Sequence, residues 1–341
     1  MSDVLVSIKG RAGRITLNRP AALNALTYEM VTEIHRALDG FASDDRIALI
    51  VVDGAGDRAF CAGGDIVMLY KTGKSQPELG RTFWRDEYRL NAAIAHYPKP
   101  YVAILDGIVM GGGIGIGGHG SHRVVTERSV LAMPETAIGF APDVGGTRLL
   151  ALAPGHIGEY LAMTGGRMSG PDAIFAGFAD YFVPSERLAA LIEVLETSGD
   201  PASISRFAET PPSSELASHA KEIDAAFNEG DALTIMARLQ GTPFGEKAAA
   251  VIARNSPFSV AVALEAVRRA RRDPDIVSCL ALEYRFSHRA LENPNFYEGV
   301  RAAVIDKDRS PVWRPKTLAE VDPQAVQASL APLGPQEWTP L

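Results

Sequence analysis

The apolar and polar positions of this chain follow two different periods. Near the start, Val4, Val6 and Ile8 alternate with polar neighbours, and a second segment of strand character, Arg14 to Leu17, follows a turn that contains glycine. This alternation predicts a β-hairpin. From Thr27 onward the apolar residues recur at helical spacing, which predicts a helix. These residues are Met30, Val31, Ile34, Leu38 and Phe41.

A strand, a turn and a helix then repeat along the first half of the chain. Ala48 to Val52 and Tyr101 to Leu105 are continuous apolar runs of strand length, and Arg123 to Val125 is a shorter one. Between them, Arg81 to Ala95 has a helical pattern that stops before a proline. The repetition predicts an α/β fold in which the strands are buried between helices.

The character of the sequence changes at about residue 188. The segments that follow have helical spacing and are separated in places by prolines and glycines. They are Leu188 to Leu195, Leu216 to Phe227, Ala232 to Leu239, Val260 to Ala270 and Ile276 to Ala290. The pattern therefore predicts an α/β core over residues 1–187 and a mainly helical region over residues 188–341.

Composition and charge narrow the class of protein. The chain has 341 residues, of which 46% are apolar and 22% are charged, and this is typical of a globular protein with a sizeable core. Its formal net charge of -7 argues against general nucleic-acid binding, for which a basic surface is expected. The charge does not exclude a ligand that carries phosphate, because local basic groups can bind one.

The cysteines and the N-terminal segment bear on cellular location. Cys61 and Cys279 lie far apart and give no metal-binding pattern. The first residues contain no basic segment followed by an apolar run, and no apolar stretch is long enough to span a membrane. We therefore expect a cytoplasmic protein with no membrane or nucleic-acid partner and no bound metal.

A glycine run from Gly111 to Gly120 has two interpretations. Gly113, Gly115 and Gly118 match the G-x-G-x-x-G fingerprint of dinucleotide-binding proteins. That fingerprint needs a full crossover helix after the glycines, but strand character resumes already at Arg123. We therefore reject a nicotinamide-cofactor site at this run.

A second glycine loop, Ala59 to Asp65, favours another interpretation of both loops. A backbone N–H group can bind a developing oxyanion only where no side chain blocks the approach, and glycine gives that access. Two amides from separate loops would form an oxyanion hole, and a helix beginning at Gly111 to Gly113 would add its positive end. The alternative is that the glycines serve only tight turns and close packing.

The two loops and a third segment together resemble the crotonase superfamily in their order and spacing. The first is AFCAGGDI at Ala59–Ile66, the second is DGIVMGGG at Asp106–Gly113, and the third is MPETAIGFAPDVGGT at Met133–Thr147. The resemblance implies a spiral of ββα units with a helical C-terminal region, which is a form of α/β fold.

The same resemblance implies roles for individual residues of the loops. Carried over position by position, it assigns the oxyanion amides to Gly64 and Gly112. It also implies that Ala62, Gly63 and Asp65 run beside the pantetheine of coenzyme A and bind substrate.

Carboxylates distinguish the branches of this superfamily. Its enoyl-CoA hydratases typically carry one glutamate shortly after the triple glycine and another in the P-E segment. Here the first position is Gly115, the second is Glu135, and Asp143 stands where typical hydratases have a small residue. This exchange resembles the 3-hydroxyisobutyryl-CoA hydrolase family, as do the segments WRDEYRLN and FYEGVRAAVIDKDRSPVWRP. That family also implies that Glu87 lies at the substrate site.

Each candidate residue also has a purely structural interpretation. An isolated acid is usually a solvated group or a helix cap, so Glu135 and Asp143 stand out only through their place in the motif. Glu87 lies on a charged helix, where surface ion pairs are common. We expect His119 and Cys61 to be structural, because the motif gives His119 no role and no base is apparent for Cys61.

The resemblance predicts hydrolysis of a short β-hydroxyacyl-CoA, with the 3-hydroxyisobutyryl-CoA of valine degradation as the implied substrate. Glu135 would attack the carbonyl carbon or deprotonate the attacking water, and Asp143 would donate and accept protons during the reaction. Coenzyme A would enter as part of the substrate with no separate cofactor, and assembly into a homo-oligomer is left open. The alternatives are an enoyl-CoA hydratase or isomerase on the same scaffold, and acyl-CoA binding without turnover.

Overall fold

The computed structural model describes residues 2–340, and over that range the chain forms ten strands. They are β1 (Val4–Lys9), β2 (Ala12–Leu17), β3 (Leu49–Gly54), β4 (Ala59–Cys61), β5 (Tyr101–Leu105), β6 (Ile108–Met110), β7 (His122–Val125), β8 (Val130–Ala132), β9 (Met168–Ser169) and β10 (Tyr181–Phe182). Six of them pair in the order β1-β2-β3-β5-β7-β10, and the other four pair in the order β4-β6-β8-β9. Strand pairs are parallel except for the hairpin β1–β2 and the pair β8–β9.

The described residues also form sixteen α-helices. They are α1 (Tyr28–Ala42), α2 (Ile66–Thr72), α3 (Pro77–Ala95), α4 (Gly112–Gly117), α5 (Gly146–Leu152), α6 (Ile157–Thr164), α7 (Gly170–Phe175), α8 (Leu188–Ser198), α9 (Glu215–Ser218), α10 (Ala220–Phe227), α11 (Ala232–Arg238), α12 (Pro243–Ile252), α13 (Pro257–Arg272), α14 (Ile276–Ala290), α15 (Pro294–Val300) and α16 (Pro323–Ser329). Short 3-10 segments, among them Glu135–Ile138, and one π-helical turn, Arg301–Ile305, complete the helical part.

Successive strands alternate between the two sheets before a helix follows. The strands β3, β5 and β7 belong to the larger sheet, and each leads into a short strand of the smaller sheet, namely β4, β6 and β8. Because these three short strands run parallel, their carboxyl ends lie at one edge of the smaller sheet. The chain leaves them into the segments that carry Gly64, Gly112 and Glu135.

The chain divides into two compact units, each built from separate segments. The first unit comprises Met1–Gly64, Asp86–Ala132 and Arg167–Ser214, and it contains both sheets. Its core packs apolar side chains of the central strands of the larger sheet against helix α8, since both bury their apolar faces there. The core includes Leu49, Val51, Val102, Ile104, Leu191 and Leu195.

The second unit is helical and comprises Asp65–Arg85, Met133–Gly166 and Glu215–Leu341. Its interior contains an aromatic cluster in which Trp84 stacks on Phe140, with ring centroids 5.3 Å apart. Phe286 and Phe296 contact the same Phe140 ring at centroid distances of 5.3 and 5.7 Å. The cluster therefore draws on all three segments of the unit.

Most of the predicted elements are confirmed. The hairpin, the strands at Leu49, Tyr101 and His122 and the helices from Leu188 onward lie where the pattern placed them. One prediction is wrong in part, because residues 216–227 do not form a single helix: it is interrupted at His219, between α9 and α10. The predicted division at residue 187 stays a prediction.

A single helix that could cross a lipid bilayer is absent from residues 2–340. Only α12 and α13 taken together reach the length and apolar character required, and they are bent by 112° relative to each other. Over the same residues, no group of three or more His, Cys, Asp or Glu side chains is placed to hold a metal ion.

Candidate active site

The first unit brings the two predicted oxyanion amides close together. A Cβ atom built on Gly112 would lie 3.2 Å from the backbone nitrogen of Gly64 and 2.8 Å from Oε1 of Glu87. Among residues 2–340, neither of the two glycine amides donates a hydrogen bond to another protein group. Two unused backbone donors at neighbouring positions are the arrangement that an oxyanion needs.

The glycines after Gly112 explain how α4 reaches this position. A Cβ on Gly113 would lie 2.3 Å from the carbonyl oxygen of Cys61, and one on Gly117 would lie 2.4 Å from the side chain of Leu105. Only glycine therefore lets the helix pack directly on β4 and β5. Gly113 and Gly117 therefore serve close packing, whereas the oxyanion role of the Gly112 amide stays a prediction.

Glu87 is a buried carboxyl at the same place. It lies on α3 with only 2% of its surface exposed. Glu87 is therefore not a solvated surface group, although it lies on a charged helix. Its carboxyl lies near Gly112, and its predicted place at the substrate site stays a prediction.

The loop before α2 contains the other predicted substrate-binding residues. Ala62 donates its N–H to the carbonyl of Leu23, and Leu26 donates to the carbonyl of Gly63, so the loop is tied to the segment before α1. Asp65 caps α2, because its carboxylate accepts a hydrogen bond from the amide of Met68 at 3.2 Å. This capping bond gives Asp65 a structural role in the protein, and its predicted contact with substrate stays a prediction.

In the second unit, Glu135 begins the 3-10 segment Glu135–Ile138 and is buried, with 6% of its surface exposed. Its Oε2 atom is buried and accepts no hydrogen bond from any residue in the described range. Burial, and next the nearby charge of Asp143 and that of Glu283, raise the pKa of Glu135 well above its ordinary value. A buried carboxyl oxygen that accepts no hydrogen bond lowers the stability of the fold and is typical of reactive sites.

Asp143 lies in the turn that follows, with 7% of its surface exposed. The turn has an unusual backbone, because Val144 has φ 55 and Gly145 has φ 78. A β-branched residue in the left-handed region is strained by roughly 1–3 kcal/mol. The carbonyl of Asp143 accepts a hydrogen bond from the amide of Gly146, which closes the turn at the start of α5.

Sequence reasoning missed a third carboxyl, Glu283. It lies on α14 with 2% of its surface exposed, and burial raises its pKa to about 8, with a further contribution from Asp143. A signal was present, because Glu283 occupies the apolar face of its helix, three residues after Leu280 and four after Cys279. An acid on such a face is rarely a solvated group.

The structure thus gathers the predicted residues into two sets. Gly64, Gly112 and Glu87 lie together in the first unit, while Glu135 and Asp143 lie in the second unit with Glu283. The expected structural role of Cys61 agrees with its burial, which raises the pKa of its thiol to about 12, and with its weak hydrogen bond to the carbonyl of Gly63.

The chain is similar to a known protein family and to curated relatives over nearly its whole length. The family model described as enoyl-CoA hydratase/isomerase matches residues 12–330. The 3-hydroxyisobutyryl-CoA hydrolase, mitochondrial, of Danio rerio is 41% identical, over 97% of this chain and 90% of that protein. The protein of the same name from Homo sapiens is 40% identical, over 97% of this chain and 89% of that protein.

Solved structures are similar over the whole chain. A carnitinyl-CoA dehydratase from Mycobacterium thermoresistibile is 45% identical with a TM-score of 0.96, and the match covers 99% of each chain. An enoyl-CoA hydratase from Rhodobacter sphaeroides is 50% identical with a TM-score of 0.95, covering 99% of this chain and 100% of that one. The names of the curated relatives and of the solved structures therefore describe different reactions on one fold.

Proposed function

The chain belongs to the enoyl-CoA hydratase/isomerase family and has the α/β crotonase fold, and from this premise we propose that it is a thioester hydrolase. The proposed reaction converts a short β-hydroxyacyl-CoA, with 3-hydroxyisobutyryl-CoA as the first candidate, into the free acid and coenzyme A. Curated relatives that share about 40% of its residues over nearly the whole chain carry the name of this activity.

The distribution of acids is the observation that carries the proposal. Helix α4 consists of glycine and isoleucine only, so it supplies no acid after the triple glycine. The carboxyls of Glu135 and Asp143 instead lie in one unit and interact through their charges. Hydrolysis needs one group that activates water or attacks the carbonyl carbon and a second that moves protons, and this pair provides both.

The amides of Gly64 and Gly112 would bind the thioester oxygen as it becomes negative. In this role they stabilise the tetrahedral intermediate more than the substrate, which lowers the barrier. Removing one such donor typically reduces turnover by about 10²–10³.

Glu135 can act by two routes, and each route uses one water molecule for each thioester that is hydrolysed. As a general base it takes a proton from water, the water oxygen bonds to the carbonyl carbon, and collapse breaks the C–S bond to release the thiolate, which is then protonated. As a nucleophile it bonds to the carbonyl carbon itself, expels the thiolate and leaves a mixed anhydride that water cleaves. Mass spectrometry of rapidly quenched enzyme separates the routes, because only the second adds the acyl mass to the protein.

The remaining features of the proposal concern location and ligands. We propose that coenzyme A binds only as part of the substrate and that no separate cofactor is needed. A cytoplasmic location and a place in valine degradation belong to the same proposal.

A second candidate, enoyl-CoA hydration, is favoured by the names of the two solved structures at 45% and 50% identity. A hydratase must activate water and also protonate the α-carbon, and with Gly115 on α4 the second group would have to be Asp143. Hydration would therefore use the same two acids, Glu135 and Asp143, with one activating water and the other protonating the α-carbon.

The experiment that decides between the candidates measures thiol release from 3-hydroxyisobutyryl-CoA beside hydration of crotonyl-CoA on one preparation. Rapid thiol release with negligible hydration is the expected result. Hydration without thiol release would overturn the hydrolase proposal. If Glu135→Gln and Asp143→Asn both leave thiol release unchanged, the assignment of these acids is wrong.

A further inference from the structure

Glu283 forms an unusual set of contacts for a helical residue. Its Oε2 accepts a hydrogen bond from the amide of Gly145 at 2.7 Å, and its Oε1 accepts from the amide of Thr147 at 2.9 Å. The hydroxyl of Thr147 donates to the same Oε1 at 2.5 Å. A single carboxyl from α14 therefore holds both ends of the junction between the Asp143 turn and α5.

The junction needs such an anchor because its backbone is strained. Val144 has φ 55 and is buried, so its conformation is one that a β-branched residue adopts only when the surroundings impose it. The Asp143 side chain precedes this strained residue directly. If the bonds from Gly145 and Thr147 were lost, the turn could relax, and the direction of the Asp143 carboxyl would change.

Glu283 also acts on the neighbouring acids through its charge. It adds to the raised pKa of Glu135, and Asp143 in turn adds to the raised pKa of Glu283. Glu283 therefore interacts electrostatically with both Glu135 and Asp143. Removing one of these three carboxyls leaves fewer like charges near the other two.

We propose that Glu283 is a positioning residue for the reaction: it clamps the strained turn that presents Asp143. Its charge also adds to the raised pKa of Glu135. This inference rests on the proposed function, since it assigns Glu283 a role through Asp143 and Glu135. Glu283 itself stays with the protein backbone and touches no substrate in this proposal.

The first test substitutes Glu283 by Gln. An amide NH₂ then faces at least one of the N–H donors, so the clamp is broken while the size of the side chain is kept. We expect kcat for thiol release to fall about 10–100-fold, because a small displacement of a catalytic group has an effect of that order, while KM changes little. We also expect the acidic limb of the kcat/KM profile to move to lower pH, because Glu135 loses a like charge.

Glu159→Gln is the matched control for burial. Glu159 is a carboxyl of the same unit that is 1% exposed and pairs with Arg271 and His156 rather than with the turn. This variant loses a buried ion pair and is expected to be less stable, yet its acidic limb should stay in place. A purely structural role for Glu283 predicts that both variants behave alike, and that result would overturn the proposal.

Thr147→Val and Thr147→Ser keep the test valid if the Glu283 variant does not fold. Valine removes the hydroxyl donor to Oε1 but keeps the carboxyl and nearly the same shape, whereas serine keeps the donor. We expect a several-fold loss of kcat for valine and recovery of most of it for serine. Equal activity of the two variants would show that the clamp does not matter.

The failure of this inference is distinguishable from the failure of the proposed function. The ionisation of Glu135 is measured by NMR on protein carrying carboxyl-labelled glutamate, with its signal identified by its loss in Glu135→Gln. A lower pKa of Glu135 in Glu283→Gln supports the inference even if wild-type protein releases no thiol. An unchanged pKa overturns it even if the wild type is an active hydrolase.

Discussion

Single residues decide where the reactive groups of this protein are open to a ligand. The clearest case is Gly112, whose missing side chain leaves the Gly64 amide uncovered. An added methyl group would meet the ends of the Glu87 and Leu26 side chains at 2.8 and 3.1 Å, and its one close backbone neighbour would be the Gly64 amide nitrogen at 3.2 Å. A substitution there should thus disturb the chemistry more than the fold.

For Gly112→Ala we expect turnover to fall by about 10²–10³, as for loss of an oxyanion donor, with little change in thermal midpoint. Gly40→Ala is the control, since a Cβ at this exposed position in α1 has open space and alanine favours a helix by about 1 kcal/mol. Turnover and thermal unfolding are measured on both variants. Equal turnover in both would mean that the Gly64–Gly112 pair binds no oxyanion.

Glu135→Gln should show how the reactive acid affects stability. The pKa of Glu135 is raised above its ordinary value of 4.5, so the uncharged form is favoured in the folded protein. The stability due to this preference is full below that value and is lost as pH rises through the raised folded-state pKa. Glutamine cannot ionise, so this variant avoids the loss.

We therefore expect the stability of Glu135→Gln relative to wild type to increase as pH rises, by up to about 1.4 kcal/mol per pH unit until the folded-state pKa is reached. Urea unfolding of both proteins from about pH 5 to about pH 9 measures this difference. Glu193→Gln, at an exposed position of α8, is the control and should give curves parallel to wild type. Parallel curves for Glu135→Gln as well would show that the carboxyl ionises as freely as in the unfolded chain.

The sequence identifies candidate site residues only where they lie inside motifs. Gly64, Gly112, Glu135 and Asp143 were recognisable because their neighbours are ordered in a characteristic way. Glu283 was not, because it lies far along the chain on an ordinary helix and meets the Asp143 turn only after folding. Contacts between distant segments are hardly visible in the local sequence pattern. In this protein the one local sign is an acid on the apolar face of a helix.

Among the elements, the short 3-10 segment Glu135–Ile138 depends on a side chain from elsewhere in its unit. Asn255 donates to Thr136 Oγ1 at 3.1 Å and to the carbonyl oxygens of Met163 and Thr164 at 3.0 and 3.2 Å. The amide of Ser256 donates to the carbonyl of Thr136. One buried asparagine therefore ties the Glu135 segment to the end of α6.

For Asn255→Ala we expect a loss of about 2–4 kcal/mol in the free energy of unfolding, because buried carbonyls lose their donor. Activity should fall as well, since the Glu135 segment loses its anchor. Asn228→Ala is the control, because Asn228 accepts an exposed hydrogen bond from Arg238, and it should change stability by less than about 0.5 kcal/mol. Chemical denaturation of the two variants gives both values, and similar values would refute the anchoring role.

Two helices that the pattern did not predict, α5 and α6, share a physical cause. Gly146 and Gly158 lie in α5 and α6, and isolated glycines reduce any helical expectation. In the folded protein a Cβ on Gly158 would lie only 1.8 Å from the carbonyl oxygen of Leu150. The glycine is there to let α5 and α6 approach each other, and that packing stabilises helices which the local sequence alone does not favour.

At the scale of the whole molecule, the predicted boundary at residue 187 can be tested directly. The second unit takes Asp65–Arg85 and Met133–Gly166 from before that boundary and needs Glu215–Leu341 from after it. A fragment of residues 1–187 would leave Trp84 and Phe140 without Phe286 and Phe296. Aromatic side chains exposed in this way favour a loosely packed state over a stable fold.

We expect the fragment to keep strand and helix signals in far-ultraviolet circular dichroism but to lose near-ultraviolet signals and bind a hydrophobic dye. The full-length chain, measured in parallel, should show fixed aromatic packing. A cooperative thermal transition of the fragment would instead support an independent core over residues 1–187.

The discontinuity of the second unit also affects how the protein is made. A ribosome releases the chain from its N-terminus, so Trp84 emerges long before Phe286 and Phe296, the rings that cover it and Phe140. The first unit has all its segments once Ser214 has left the exit tunnel, whereas the second still lacks its third segment, which begins at Glu215. During that interval its early segments need protection by chaperones, and a stalled or truncated chain becomes a target for proteolysis before it has any activity.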